Sequence, residues 1–255
     1  MTRREFILGI TAALGVSALA RPIRSALGGQ NTDTTQKKGY TAADYIQEGL
    51  IALWDGIENV DWNKSDVAST TWNDLVGGRK ATLTSHGSFS GYSLVCDGVG
   101  YAAKDGTMFS RSNVRAVEIV FDSASTGIIA CIAGSAASTS AIRVIDNGGN
   151  LLAQNVNSSS LGLKNRIAFS RDGIATLSLT YGDADFLGGY INGQWKNSYY
   201  QASAPAATNI AFGGRSENSD VPWFGQIFSI RVYDRQLSES EVLQNLQVDN
   251  WRFGT

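Results

Sequence analysis

The sequence predicts an all-β sandwich, and three observations carry that prediction. Glycine is plentiful, 28 of 255 residues, while charged residues make up only 17%, a balance that suits many short strands joined by turns and fits neither a disordered chain nor a long helix. Runs of alternating apolar and polar residues recur, with the period of two that sends successive side chains to opposite faces of a strand. Turn signals rich in Gly, Asn and Asp separate these runs at spacings typical of a sandwich. At 27.2 kDa and 43% hydrophobic residues, the chain can bury one large all-β core or two small ones. No Gly/Ser/Pro-rich linker divides residues 40–253, so one domain is the simpler reading.

The N-terminus stands apart. Thr2-Arg3-Arg4-Glu5-Phe6 supplies a twin-arginine start, residues 6–19 are uncharged and mostly apolar, and Ala18-Leu19-Ala20 places small residues where an export peptidase reads. This is the pattern of a Tat-type signal peptide; an uncleaved amphipathic anchor is the alternative, because Arg21 and Arg24 crowd the cleavage point. The apolar run is shorter than the roughly 20 residues a membrane span needs. Cleavage after Ala20 would remove Arg3, Arg4 and Glu5, leaving 19 basic and 22 acidic residues and a net charge of −3 in place of −2. Residues 21–38 are polar and lack periodicity. We therefore divide the chain into a signal peptide or anchor over 1–29, a linker over 30–39 and a β domain over 40–255.

Along the domain, Asp44 to Glu48 can form a helical turn, and Leu50 to Asp55 is a continuous apolar run suited to a strand buried on both sides. Val117, Ile119 and Phe121 alternate with Ala116, Glu118 and Val120. Asp146-Asn147-Gly148-Gly149-Asn150 reads as a hairpin whose glycines supply positive φ. Ser170-Arg171-Asp172-Gly173 reads as a second turn of the same sort, and Asn192-Gly193 is the strongest short hairpin signal in the chain. In the closing strand, Phe228, Ile230 and Val232 are predicted inside and Ser229, Arg231 and Tyr233 outside. Ser238 and Glu241 then have capping-box spacing, and Leu237 with Val242 has that of a hydrophobic staple. A strand thus runs straight into a short helix.

The stretch from Asn209 to Val248, with this strand-to-helix ending, closely resembles the end of laminin G-like and pentraxin-like jelly-roll domains of the concanavalin A-like lectin/glucanase superfamily. Four further segments follow in the family's order: Trp54-Asp55-Gly56, Trp72 to Gly78, Val95 to Tyr101 and Leu187 to Gly193. The resemblance spans about 210 residues. Gly77-Gly78 departs from the usual turn pair. What the resemblance implies is an all-β, two-sheet antiparallel jelly-roll sandwich with a short C-terminal helix. It also implies binding of sugars or proteins, since only some members of the superfamily are hydrolases.

The residues that carry chemistry are sparse. A glucanase needs two carboxylates about 5–9.5 Å apart, and the superfamily's E-x-D-x-x-E strand is absent. Glu118 and Asp122 share a face but lie about 13 Å apart along a strand, whereas Asp183 and Asp185 would be about 7 Å apart if extended. That aspartate pair is a weak cation site at most. No G-x-S-x-G elbow, Walker loop or H-E-x-x-H occurs. Ca2+ is a cofactor that the resemblance allows, although no family metal motif transfers residue by residue and no EF-hand-like run is present. Zinc lacks ligands, with one histidine, His86, in a surface loop and no C-x-x-C pair. Cys96 and Cys131 sit in apolar strand runs and read as two unlinked core thiols, a single disulfide being the alternative in an exported protein.

Aromatic side chains are the better lead, because flat rings recognise the apolar faces of sugars and other partners. Among the six tryptophans, Trp54, Trp195 and Trp223 lie in or beside strand signals and are predicted to pack in the core. Trp62, in a polar loop, is a candidate platform; Tyr199 and Tyr200, after a hairpin, and Arg215, Glu217 and Asp220, in another polar loop, complete a candidate ligand-binding rim. The net charge of −2 and the absence of a basic stripe give no reason to expect nucleic acid. These observations point to an exported, non-catalytic carbohydrate-binding or adhesion module, acting in the periplasm, at the cell surface or outside the cell on a glycan or cell-surface protein. The alternative is a structural or receptor-binding component of an extracellular assembly such as a phage virion or tail appendage.

Overall fold

A computed structural model describes residues 39–58, 70–105, 114–133, 140–157, 164–181, 186–200, 209–214 and 222–255. Its strands are β1 (Leu50–Asp55), β2 (Thr71–Asn73), β3 (Lys80–Leu83), β4 (Gly87–Ser90), β5 (Ser93–Asp97), β6 (Ala103–Asp105), β7 (Ala116–Ser123) and β8 (Gly127–Ala133). They continue with β9 (Ser140–Asp146), β10 (Asn150–Asn157), β11 (Lys164–Ala168), β12 (Ala175–Tyr181), β13 (Phe186–Ile191), β14 (Gln194–Tyr200), β15 (Asn209–Phe212) and β16 (Phe224–Tyr233), and the chain ends in helix α1 (Glu239–Phe253). One sheet runs β14-β13-β12-β7-β16-β5-β4; the other runs β11-β10-β9-β8-β15-β6-β3-β2. Every pairing is antiparallel. The chain is an all-β, two-sheet sandwich with a C-terminal helix.

The ten-residue β16 organises the first sheet. Strand β7 pairs along one of its edges, and β5 and β1 share the other end to end. Between the sheets lies a core containing Trp54, Trp72, Leu94, Ile119, Phe121, Phe212, Trp223 and Ile230. Phe212 meets Trp54 and Trp72 edge-on at 5.5 and 5.6 Å, the geometry the ring quadrupole favours. Cys96 and Cys131 are buried and unlinked, as their apolar surroundings predict. His86 sits at a partly exposed turn, its Nδ1 3.0 Å from Asp97 Oδ2.

The outer face of the first sheet differs from expectation. Ile230 and Val232 do face the core, but Arg231 and Tyr233 are equally buried. The reason is α1, which with Tyr45 covers that face through an apolar cluster of Leu53, Tyr190, Tyr233, Leu237, Val242 and Val248. Phe228 also departs from the predicted parity. The pairing of β16 with β7 shifts by one residue between Ile227 and Ser229, a bulge that turns Phe228 away from the inter-sheet core. Its ring packs instead on Phe253 of α1, 5.7 Å away.

Turn chemistry resolves unevenly. The residues 146–150 join β9 to β10 as a hairpin, and Asn192-Gly193 turns with φ of 49° and 71°, the left-handed pair that a two-residue hairpin requires. Ser170 to Gly173 is not a hairpin: β11 pairs with β10 in one sheet and β12 with β7 in the other, so these residues cross between sheets. The N-terminal helical turn is a 3-10 turn at Ala42–Asp44, earlier than predicted, because Thr41 and Asp44 form its capping box. At α1, Ser238 accepts from the Glu241 N–H while Glu241 accepts from the Ser238 N–H, and Leu237 and Val242 are both buried in one cluster. The predicted cap and staple are both present.

Candidate functional site

Of the residues singled out in the sequence, Trp62, Asp183, Asp185, Arg215, Glu217 and Asp220 lie outside the described residues. Tyr199 and Tyr200 end strand β14, opposite Leu187 and Phe186; they belong to an edge strand rather than to the loop predicted for them. Trp54 and Trp223 are fully buried, as predicted for core rings, but Trp195 is 49% exposed. Its strand is the edge of the first sheet, and among the described residues no further strand pairs beyond it.

Where the buried carboxylates go decides what chemistry they can perform. Glu118 of β7 receives hydrogen bonds from Arg231 Nε (2.8 Å), Asn245 Nδ2 (2.7 Å) and Ser178 Oγ (2.7 Å). Arg231 also donates from both terminal nitrogens to Asp249 of α1, each at 2.7 Å, a two-pronged match of fork to carboxylate. Tyr45 Oη and Thr176 Oγ1 complete Asp249 at 2.9 and 3.1 Å, and the guanidinium lies 4.1 Å from the Tyr45 ring centroid. Burial pushes the Glu118 carboxyl above its ordinary value, with Arg231 opposing that rise. This cluster fastens α1 and Tyr45 onto the sheet.

Other buried acids are likewise held by arginine: Asp74 by Arg79, Asp146 by Arg171, and Asp55 by Arg252. Arg171 and Arg252 join segments distant in sequence, and Arg79, five positions from Asp74, also donates to the Ile51 carbonyl. Among the described residues, no group of three or more His, Cys, Asp or Glu could hold a metal ion.

Among the described residues, a groove of about 580 Å³ lies at the mouth of the sandwich, within the range of small-molecule sites. The crossover after β11 forms one wall and the β13–β14 hairpin the other, so the two sheets themselves create it. Phe169 and Ile191 supply apolar lining, Phe169 leaning on Phe121 with ring centroids 5.8 Å apart. Ser170, Asp172, Asn192, Gln194 and Lys196 supply the polar lining. Ser170 Oγ donates to Asp172 Oδ2 at 2.6 Å, and Lys196 Nζ donates to Gln194 Oε1 at 3.0 Å. A carboxylate, an ammonium, a hydroxyl and an amide thus border an apolar lining, the combination of apolar walls and a few polar groups found in small-molecule sites.

Sequence reasoning passed over these groove residues because Ser170 to Gly173 looked like a local hairpin. The Arg231 cluster did leave a signal: Asn245 and Asp249 stand four apart, and such residues share one helix face. Two polar residues there, on the face that buries Val242 and Val248, mark a polar contact beneath the helix.

No protein-family model matches the sequence, and no curated protein matches it. Solved structures do resemble the fold. Trypanosoma rangeli sialidase in complex with sialic acid superposes with a TM-score of 0.55 and 14% identity, covering 81% of this chain and 34% of the sialidase. The receptor binding domain of botulinum neurotoxin type G gives a TM-score of 0.58 and 12% identity, covering 79% of this chain and 51% of that domain. The binding domain of botulinum neurotoxin serotype D gives 0.56 and 13%, covering 78% and 51%. The chain therefore spans about a third of the sialidase and half of each neurotoxin domain. At such identities these likenesses establish the two-sheet sandwich fold.

Proposed function

We propose that this protein is an exported, non-catalytic carbohydrate-binding or adhesion module of the concanavalin A-like, laminin G-like type. The observation that carries the reading is the groove at the sandwich mouth, where Asp172, Gln194 and Lys196 stand beside Phe169 and Ile191. Glycan recognition combines such apolar lining with a few placed polar groups. The occurrence of similar sandwiches in a sialidase bound to sialic acid and in toxin receptor-binding domains is compatible with this role. Hydrolysis by the carboxylate-pair mechanism of glucanases requires two carboxylates facing one bond, whereas the buried acids Glu118, Asp249, Asp55, Asp74 and Asp146 are all engaged by arginine. Export is read from the twin-arginine N-terminus, and no helix among the described residues is long and apolar enough to cross a membrane.

A glycan array probed with the full-length protein tests the proposal. Binding to a defined set of glycans, without hydrolysis of them, is the expected result. Absence of glycan binding combined with self-association on sizing would overturn it in favour of an assembly component, and turnover of any bound glycan would overturn the non-catalytic part.

A further inference from the structure

We propose that the Trp195 ring, lying along the outer face of β13 over Gly188 and beside Tyr190, is a stacking platform for the apolar face of a pyranose. This rests on the carbohydrate-binding reading and adds to the groove a second subsite, on the opposite face of the hairpin. Gln194 and Lys196 line the groove, while Trp195, between them, pairs with Tyr190 on the helix-covered side.

The ring is supported from beneath. A Cβ at Gly188 would stand 2.6 and 2.8 Å from two of its carbons, so only glycine lets the indole lie down on the strand at this position. Thr180 Oγ1 borders the same spot, 3.0 Å from that hypothetical Cβ. Tyr190 meets the indole at 4.9 Å between centroids and 67° between planes, bracing it from the side. The remaining surface leaves the residue 49% exposed. A ring already fixed loses little conformational freedom when a ligand stacks on it, which favours binding.

The rim of the ledge carries hydrogen-bonding groups. Burial, and then the Glu239 carboxylate, hold the Tyr190 phenol above its usual range, so it stays a neutral donor beside an exposed acceptor. A pyranose presents C–H groups on one face and hydroxyls around its edge, which complements an aromatic floor with a tyrosine hydroxyl at its margin. Of residues 194–196, all exposed, Gln194 and Lys196 face the groove and Trp195 faces the helix-covered side. Exposed Leu243 leans on the turn at Gly193, where a Cβ would come within 2.8 Å of it.

Calorimetric titration of the full-length protein with cellotriose, chitotriose, lactose and mannotriose, alongside the glycan array, tests the ledge. For a sugar that wild type binds, Trp195→Ala should weaken affinity about tenfold, Trp195→Phe should recover most of the loss, and the melting temperature should hold. Gly188→Ala, which lifts the ring, should weaken binding in the same direction while Trp195 remains. Equal affinity of wild type and Trp195→Ala would overturn the ledge and leave the groove standing. No binding of any sugar by wild type would overturn both the ledge and the carbohydrate reading.

Discussion

Arg231 is the residue on which the outer face of the first sheet depends. Its guanidinium is enclosed by two carboxylates and a tyrosine ring, all buried, and every charge has its partner. Removing one member leaves the others desolvated and unpaired, which costs far more than the intact cluster contributes. Arg231→Ala should therefore destabilise the fold by about 3–5 kcal/mol in urea unfolding; a change below about 0.5 kcal/mol, the size of an ordinary surface effect, would show the cluster to be dispensable. The inner half of β16 was legible, because Ile230 and Val232 alternate correctly. Arg231 was not, since Glu118 lies 113 positions away and strand periodicity reports alternation of faces without saying what covers the second one.

The start of α1 is the element most fully legible in the sequence, because a capping box and a staple are local and need no distant partner. Ser238→Ala should cost about 1 kcal/mol through loss of an acceptor for the Glu241 N–H, and an unchanged unfolding midpoint would remove the cap from the account. The same turn confers acid sensitivity. Arg235, hydrogen-bonded to both Glu241 oxygens, holds that carboxyl down to about 2 against an ordinary 4.5, with Ser238 assisting. A folded-state value below the unfolded one contributes stability that is fully present above about pH 4.5 and is lost as pH falls towards 2. Glu241→Gln should accordingly flatten the stability profile between about pH 5 and 2; an unaltered slope would place the acid sensitivity elsewhere. The bulge at Phe228 and the crossover at Ser170 to Gly173 were illegible for an opposite reason. Both depend on which strand pairs with which, and turn residues alone do not specify whether a chain folds back or changes sheet.

At the scale of the whole molecule, sandwich closure brings the crossover after β11 against the β13–β14 hairpin and so makes a groove from residues more than twenty positions apart, such as Asp172 and Lys196. Composition, alternation and turn spacing made the two-sheet fold legible; the groove was not, because it exists only once both sheets are in place. Trp195 illustrates the same limit, since a tryptophan in a strand reads as core until the strand proves to be an edge. The measurement that bears most directly on the proposed function is therefore a titration of the best array glycan into wild type and into the Asp172→Ala/Lys196→Ala double variant. With folding verified by thermal melting, the double variant should bind at least about tenfold more weakly, as loss of placed hydrogen bonds to a ligand dictates. Unchanged affinity would contradict the assignment of the sandwich mouth as the glycan-binding site.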